Sequence, residues 1–96
     1  MLHLVFNFSD TSIFTRLQNQ NSVVIFLDNS VMFLLEKSLF EGKLNDLIKL
    51  MPCYVLDEDM ICRGISKESL IQGIISISNT ELVKMTIDHT PIYTWN

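Results

Sequence analysis

Residues 54–64 read Tyr54-Val55-Leu56-Asp57-Glu58-Asp59-Met60-Ile61-Cys62-Arg63-Gly64. An apolar run of strand length ends in three consecutive carboxylates, and a short helix follows. Helix N-termini carry partial positive charge, so the three acids favour a first turn here, and Asp57 is expected to cap its free N–H groups. Gly64 is expected to take the left-handed conformation that closes a helix. A buried strand feeding directly into a helix is the unit from which parallel sheets are built. The carboxyl edge of such a sheet is where ligands and partners sit.

Working outward, the same alternation recurs. Leu2 to Phe6 is a short apolar run suited to a strand buried on both faces. Ser9, Asp10, Thr11 and Ser12 offer N-caps for a short helix carrying Ile13, Phe14 and Leu17. Val23-Val24-Ile25-Phe26-Leu27 is β-branched and aromatic throughout, a second strand, and Asp28-Asn29-Ser30 ends it. Val31, Leu34, Leu35 and Leu39 recur at helical spacing, with an interruption expected at Glu41-Gly42. Leu44, Leu47, Ile48 and Met51 form the next helical stripe, stopped by Pro52. Ile74 to Ile77 is a fourth strand. Ser78-Asn79-Thr80-Glu81 has the capping-box form, opening a last helix that ends near His89 before Pro91. Strand and helix alternate without hairpin signals. The expected fold is therefore α/β, a single small domain over residues 1–96 with a mostly parallel central sheet flanked by helices.

Composition bounds the function. In 96 residues, 48% are hydrophobic and 19% charged, a compact profile with a high apolar content for so small a chain. Part of that apolar surface is expected to be covered by partner chains. The net charge of −4 and the lack of a basic run argue against direct nucleic-acid binding. No apolar run reaches membrane-spanning length, and two cysteines do not make a disulfide scaffold. A cytoplasmic location without membrane contact is expected.

Few residues carry chemistry. A phosphate cradle needs glycines after the first strand, and the only glycines are Gly42, Gly64 and Gly73. The histidines lie at opposite ends of the chain and the cysteines are not paired, so neither a metal site nor a cofactor is expected. His3 reads as a core or interface histidine and His89 as a helix C-terminal residue. Cys53 reads as a small buried hydrophobe. Cys62 is the sharper candidate for a nucleophile, but it sits near a helix C-terminus, and a packing role is the expectation. Asp57, Glu58 and Asp59 read as a solvated cap. Tyr93 and Trp95 are too aromatic for a free terminus and are expected to dock on the domain or on a neighbouring chain.

Taken together, the opening Met1-Leu2-His3, the strand ending in Asp28, residues 54–64, the segment Leu82 to His89 and Trp95 near the end resemble the TusB/DsrH family. Members are subunits of cytoplasmic sulfur-relay complexes such as TusBCD and DsrEFH. The resemblance implies a heterohexamer with TusC-like and TusD-like subunits, taking persulfide sulfur from a TusA-like donor to a TusE-like acceptor for 2-thiolation of tRNA wobble uridine. It places the active cysteine on the TusD-like subunit. Some DsrH-type members carry a cysteine in the first helix, whereas this sequence has none before Cys53. That points to the tRNA-thiolation branch and to no catalytic residue in this chain. Relatives have glycine after the Asp that ends the second strand. Asn29 stands there as the residue best able to replace it at a positive φ. The expected interface residues are His3, Tyr93 and Trp95, and the expected structural corner is Asp57, Glu58, Asp59, Arg63 and Gly64. The alternatives are a sulfurtransferase carrying a persulfide on Cys62, a DsrEFH-type sulfur-trafficking subunit, and an interaction domain with no sulfur role.

Overall fold

The computed structural model describes residues 1–7, 22–89 and 91–95. Five strands form one sheet in the order β4-β3-β2-β1-β5. They are β1 (Leu2–Val5), β2 (Val23–Phe26), β3 (Cys53–Leu56), β4 (Ile75–Ile77) and β5 (Ile92–Trp95). Every neighbouring pair is parallel, with Leu2 opposite both Val23 and Ile92, Val24 opposite Cys53, and Tyr54 opposite Ile75. The helices are α1 (Glu41–Leu50), α2 (Asp57–Cys62) and α3 (Asn79–Asp88), with 3₁₀ turns at Asp28–Leu34 and Lys67–Ser69. The expected helix around Ile13, Phe14 and Leu17 lies outside the described residues.

Side chains alternate across a strand, and here they divide the core into two layers. On one face Val5, Val24, Phe26, Cys53 and Val55 pack under Val31, Leu34, Leu44, Leu47 and Met60 from the 3₁₀ segment, α1 and α2. On the other, Leu2, Val23, Ile25, Leu56 and Ile77 meet Leu82 and Met85 of α3. β2 is buried along its whole length, as a central parallel strand must be.

The four expected strands and the three helices nearest them are present, with differences that have local causes. Residues 28–34 form a 3₁₀ helix instead of an α-helix reaching Leu39. At three residues per turn, Val31 and Leu34 share a face and are buried. Leu35 leaves the helix to make an antiparallel bridge with Leu70, and Leu39 is exposed. Glu41-Gly42 does not interrupt a helix but begins α1, where the Glu41 carboxylate accepts the backbone N–H of Lys37 at 3.0 Å. Residues 92–95, taken from sequence as a docked tail, are a fifth strand. The run Ile-Tyr-Thr-Trp after Pro91 has the β-branched and aromatic content of one.

The capping box of α3 is present: the Ser78 hydroxyl accepts the Glu81 N–H, and the Glu81 carboxylate accepts the Ser78 N–H. α2 differs at its start. Leu56 occupies its N-cap in an extended conformation with no side-chain cap bond, so Asp57 does not cap. Its end follows the Schellman pattern, with Gly64 N–H on Ile61 C=O at 3.1 Å and Ile65 N–H on Met60 C=O at 2.9 Å. Gly64 has φ +68° and open space where a Cβ would stand, whereas at Gly73 (φ +106°) a Cβ would lie 2.7 Å from Ile48 Cγ2. Gly64→Ala should therefore cost only the left-handed strain of about 1–2 kcal/mol. Gly73→Ala adds a clash with a β-branched side chain and should cost about 2–4 kcal/mol. Urea denaturation of the two variants checks the order; equal midpoints would contradict it.

Candidate functional site

The carboxyl edge of the sheet gathers the ends of β2 and β3 with α2 and the start of α3. Asp28, just past β2, has φ +57°, a conformation that Asp tolerates better than most residues. The positive φ expected at Asn29 thus falls one residue earlier. In that conformation the Asp28 N–H donates to Asp59 Oδ2 at 2.7 Å, while its own carboxylate receives Arg63 Nη2 at 2.7 Å. Arg63 Nη1 lies 3.8 Å from Asp59 Oδ1, an Asp-to-Arg pair one helical turn apart in the favourable order. The three residues form a closed ring tying the end of β2 to α2. Ser30 adds a buried link: its hydroxyl lies 2.6 Å from Val5 C=O and 2.8 Å from Leu27 C=O.

The remaining acids divide. Glu58 accepts a hydrogen bond from the Asn79 carboxamide, joining α2 to the first turn of α3. Asp57 is half-buried and lies outside these contacts. Asp59, Arg63 and Asp28 are therefore brought together, and Glu58 meets a different element. Asp28 and Asn79 are members of this edge that sequence reasoning did not select. Asp28 sits directly after the strongest strand signal in the chain, which was the available clue.

The cysteines are far from equivalent. Cys53 is buried, with its thiol against Met51 C=O at 3.5 Å, and desolvation pushes its pKa up to about 12. Cys62 is exposed, so the packing role expected for it does not hold. It closes a six-residue helix, and the guanidinium beside it is taken up by Asp28 and Asp59. A cleft of about 590 Å³ opens next to Arg63, between Met32, Leu35, Lys37, Ile65 and Glu68. Among the described residues, no group of three or more His, Cys, Asp or Glu could hold a metal ion, and no helix is long and apolar enough to cross a membrane.

The second cluster lies on β1 and β5. His3 is 5% exposed, stacks on Tyr93 with ring centroids 5.4 Å apart, and receives the Trp95 indole N–H on Nδ1 at 3.1 Å. Indole nitrogen can only donate, so Nδ1 carries no proton and the ring is the neutral Nε2–H tautomer. Among the described residues, His3 Nε2 has no hydrogen-bond partner. Burial first, and the Met1 ammonium second, hold the His3 pKa below the usual 6.5. Tyr93 and Trp95 thus both meet His3, with Tyr93 exposed on an edge strand.

α3 gives the other unusual surface. Leu82 and Met85 face the sheet, yet Val83 and Ile87, one turn apart, are 57% and 73% exposed. The neighbouring Ile75 of β4 is exposed as well. A helix with apolar residues on both sides is suited to burial between two bodies.

This combination defines a class: a small parallel α/β domain whose carboxyl edge is closed by ion pairs and whose outer helix and edge strand are apolar. The sequence matches the family described as "DsrH like protein" over residues 6–92, and the chain belongs to that family. No curated relative matches it. Among solved structures it is similar to the ychN protein from E. coli, with TM-score 0.79 and 18% identity over 98% of this chain and 97% of that one. It is also similar to the protein of unknown function MTH1491 from Methanobacterium thermoautotrophicum, with TM-score 0.77 and 11% identity over 97% and 95% of the two chains. At these identities the likeness speaks for the fold alone.

The ion-pair ring makes a measurable claim. In a double-mutant cycle of Asp28→Asn and Arg63→Met, the coupling should be about 0.5–1 kcal/mol at low salt, because the pair is partly exposed, and should shrink at high ionic strength. Additive effects of the two substitutions would show that the ring does not hold α2.

Proposed function

We propose that this chain is a structural, non-catalytic subunit of a sulfur-relay complex, acting beside TusC-like and TusD-like subunits as persulfide sulfur passes towards 2-thiolation of tRNA wobble uridine. Family membership supports the sulfur-relay role, and the absence of any cysteine before Cys53 favours the tRNA branch. The observation that carries the structural role is the state of the two thiols. Cys53 is buried with a strongly raised pKa, and Cys62 closes α2 beside an arginine that is engaged by Asp28 and Asp59. A helix C-terminus carries partial negative charge, and Arg63 is already paired. The corner of Asp28, Glu58, Asp59 and Arg63 then serves to fix α2 and α3, while Asp57 stays at the surface of that corner. The apolar faces of α3 and β5 are the surfaces offered to sister subunits in a cytoplasmic heterohexamer. The TusA-like donor and TusE-like acceptor are reached through the complex.

A second reading rests on the exposure of Cys62, which leaves its sulfur accessible to a persulfide donor. The readings separate in a strain lacking this chain. For the structural subunit, Cys62→Ser restores wobble-uridine thiolation to within about twofold of wild type. Val83→Asp with Ile87→Asp loses copurification of the sister subunits and thiolation together, because buried unpaired carboxylates are costly. Loss of thiolation in Cys62→Ser, with a sulfur adduct on Cys62 by mass spectrometry, establishes the carrier reading instead.

A further inference from the structure

β5 is an edge strand held by one neighbour only. Its backbone is tied to β1 through Leu2 N–H on Pro91 C=O at 3.0 Å and Phe6 N–H on Trp95 C=O at 2.8 Å. Its side chains bury little: Ile92, Tyr93 and Thr94 are exposed and Trp95 is half-buried. Trp95 packs against the core layer that holds Val5, Val24 and Phe26, and His3 ties both aromatic residues to β1, stacking on Tyr93 and accepting the Trp95 indole proton. That hydrogen bond has one possible polarity. An imidazolium carries N–H on both nitrogens, so a protonated His3 would turn a donor towards the Trp95 donor. Its second N–H, on Nε2, is buried with no acceptor among the described residues. Beside the ring stand Val24 of β2, opposite His3 in the register, and Tyr93 and Trp95 of β5. The Tyr93 phenol is the titratable group among these. The Met1 ammonium adds repulsion. Among the described residues, no carboxylate is hydrogen-bonded or ion-paired to His3.

We propose that the His3–Trp95 contact is a pH-sensitive latch, which holds β5 on the sheet while His3 is neutral and releases the C-terminal strand when His3 is protonated. The sign follows from linkage. The latched state disfavours the proton, so it binds fewer protons than the released state, and latching weakens as pH falls from 6.5, the pKa of a free imidazole. The latch equilibrium shifts by about tenfold for each unit by which the latched pKa lies below the free value. Release would bare the β1 edge and move Tyr93 and Trp95 away from His3, changing an apolar surface without unfolding the β1–β4 sheet.

Trp95 is the single tryptophan, so its emission reports on the latch directly. The full chain is titrated from about pH 7.5 to about pH 5, following Trp95 emission, far-UV circular dichroism and amide hydrogen exchange. The expected result is a red shift and lowered protection factors confined to β5 and to the Leu2 and Phe6 amides that donate to it, with a midpoint below 6.5 and unchanged dichroism. In His3→Gln the carboxamide oxygen accepts the indole proton at every pH, so the transition should vanish. In Trp95→Phe, which has no N–H, β5 should be less protected at neutral pH and insensitive to acidification beyond that. An identical transition in His3→Gln, constant β5 protection in the wild type, or a Trp95 change that coincides with loss of dichroism would each overturn the latch.

Discussion

Parallel pairing is the constraint on which everything else rests. Two parallel strands cannot be joined by a tight turn, so each strand must be followed by a crossover that covers one face of the sheet. With five strands all parallel in 96 residues, the crossovers are short and the three central strands are nearly all core. β2 is buried throughout, and Val24, Phe26 and Val55 face one layer while Ile25 and Leu56 face the other. So small a chain has little polar surface left to cover its outer elements. α3 shows the consequence, with Leu82 and Met85 spent on the sheet and Val83 and Ile87 still open.

The carboxyl edge shows how a place that often holds ligands can be closed. The left-handed Asp28 turns its N–H to Asp59 and its carboxylate to Arg63, so the charged groups there satisfy one another. Glu58 reaches Asn79 on the next crossover. An edge whose acids and guanidinium are mutually engaged is organised for holding elements in place. That arrangement, together with a buried Cys53 and a Cys62 at the end of α2 beside an already paired Arg63, gives the structural reading its physical basis.

Much of the fold was legible because its signals are local. The β-branched run at Val23 to Leu27, the stripe Leu44-Leu47-Ile48-Met51 and the Ser78–Glu81 capping box each specify their element without outside help. Most misreadings concern residues whose role is set by distant partners. Residues 31–39 carry helical spacing, but Leu35 is drawn out of the helix by Leu70, 35 positions along. Asp57 looked like a cap, yet α2 follows β3 so directly that Leu56 holds the N-cap in an extended conformation. β5 looked like a tail because nothing nearby in sequence pairs with it; its partner is β1, at the other end of the chain. The contact of His3 with Trp95 could not be read for the same reason.

The central claim is that this chain contributes surfaces, not a thiol, to a sulfur-relay assembly. Hydrogen exchange on the chain within its reconstituted complex, compared residue by residue with the chain alone, tests it most directly. The account predicts added protection concentrated on α3 around Val83 and Ile87 and on β5 around Ile92 and Tyr93, with the turn at Cys62 unchanged. Protection confined to the Cys62–Gly64 turn and the cleft beside Arg63, with α3 and β5 exchanging as in the free chain, would contradict it.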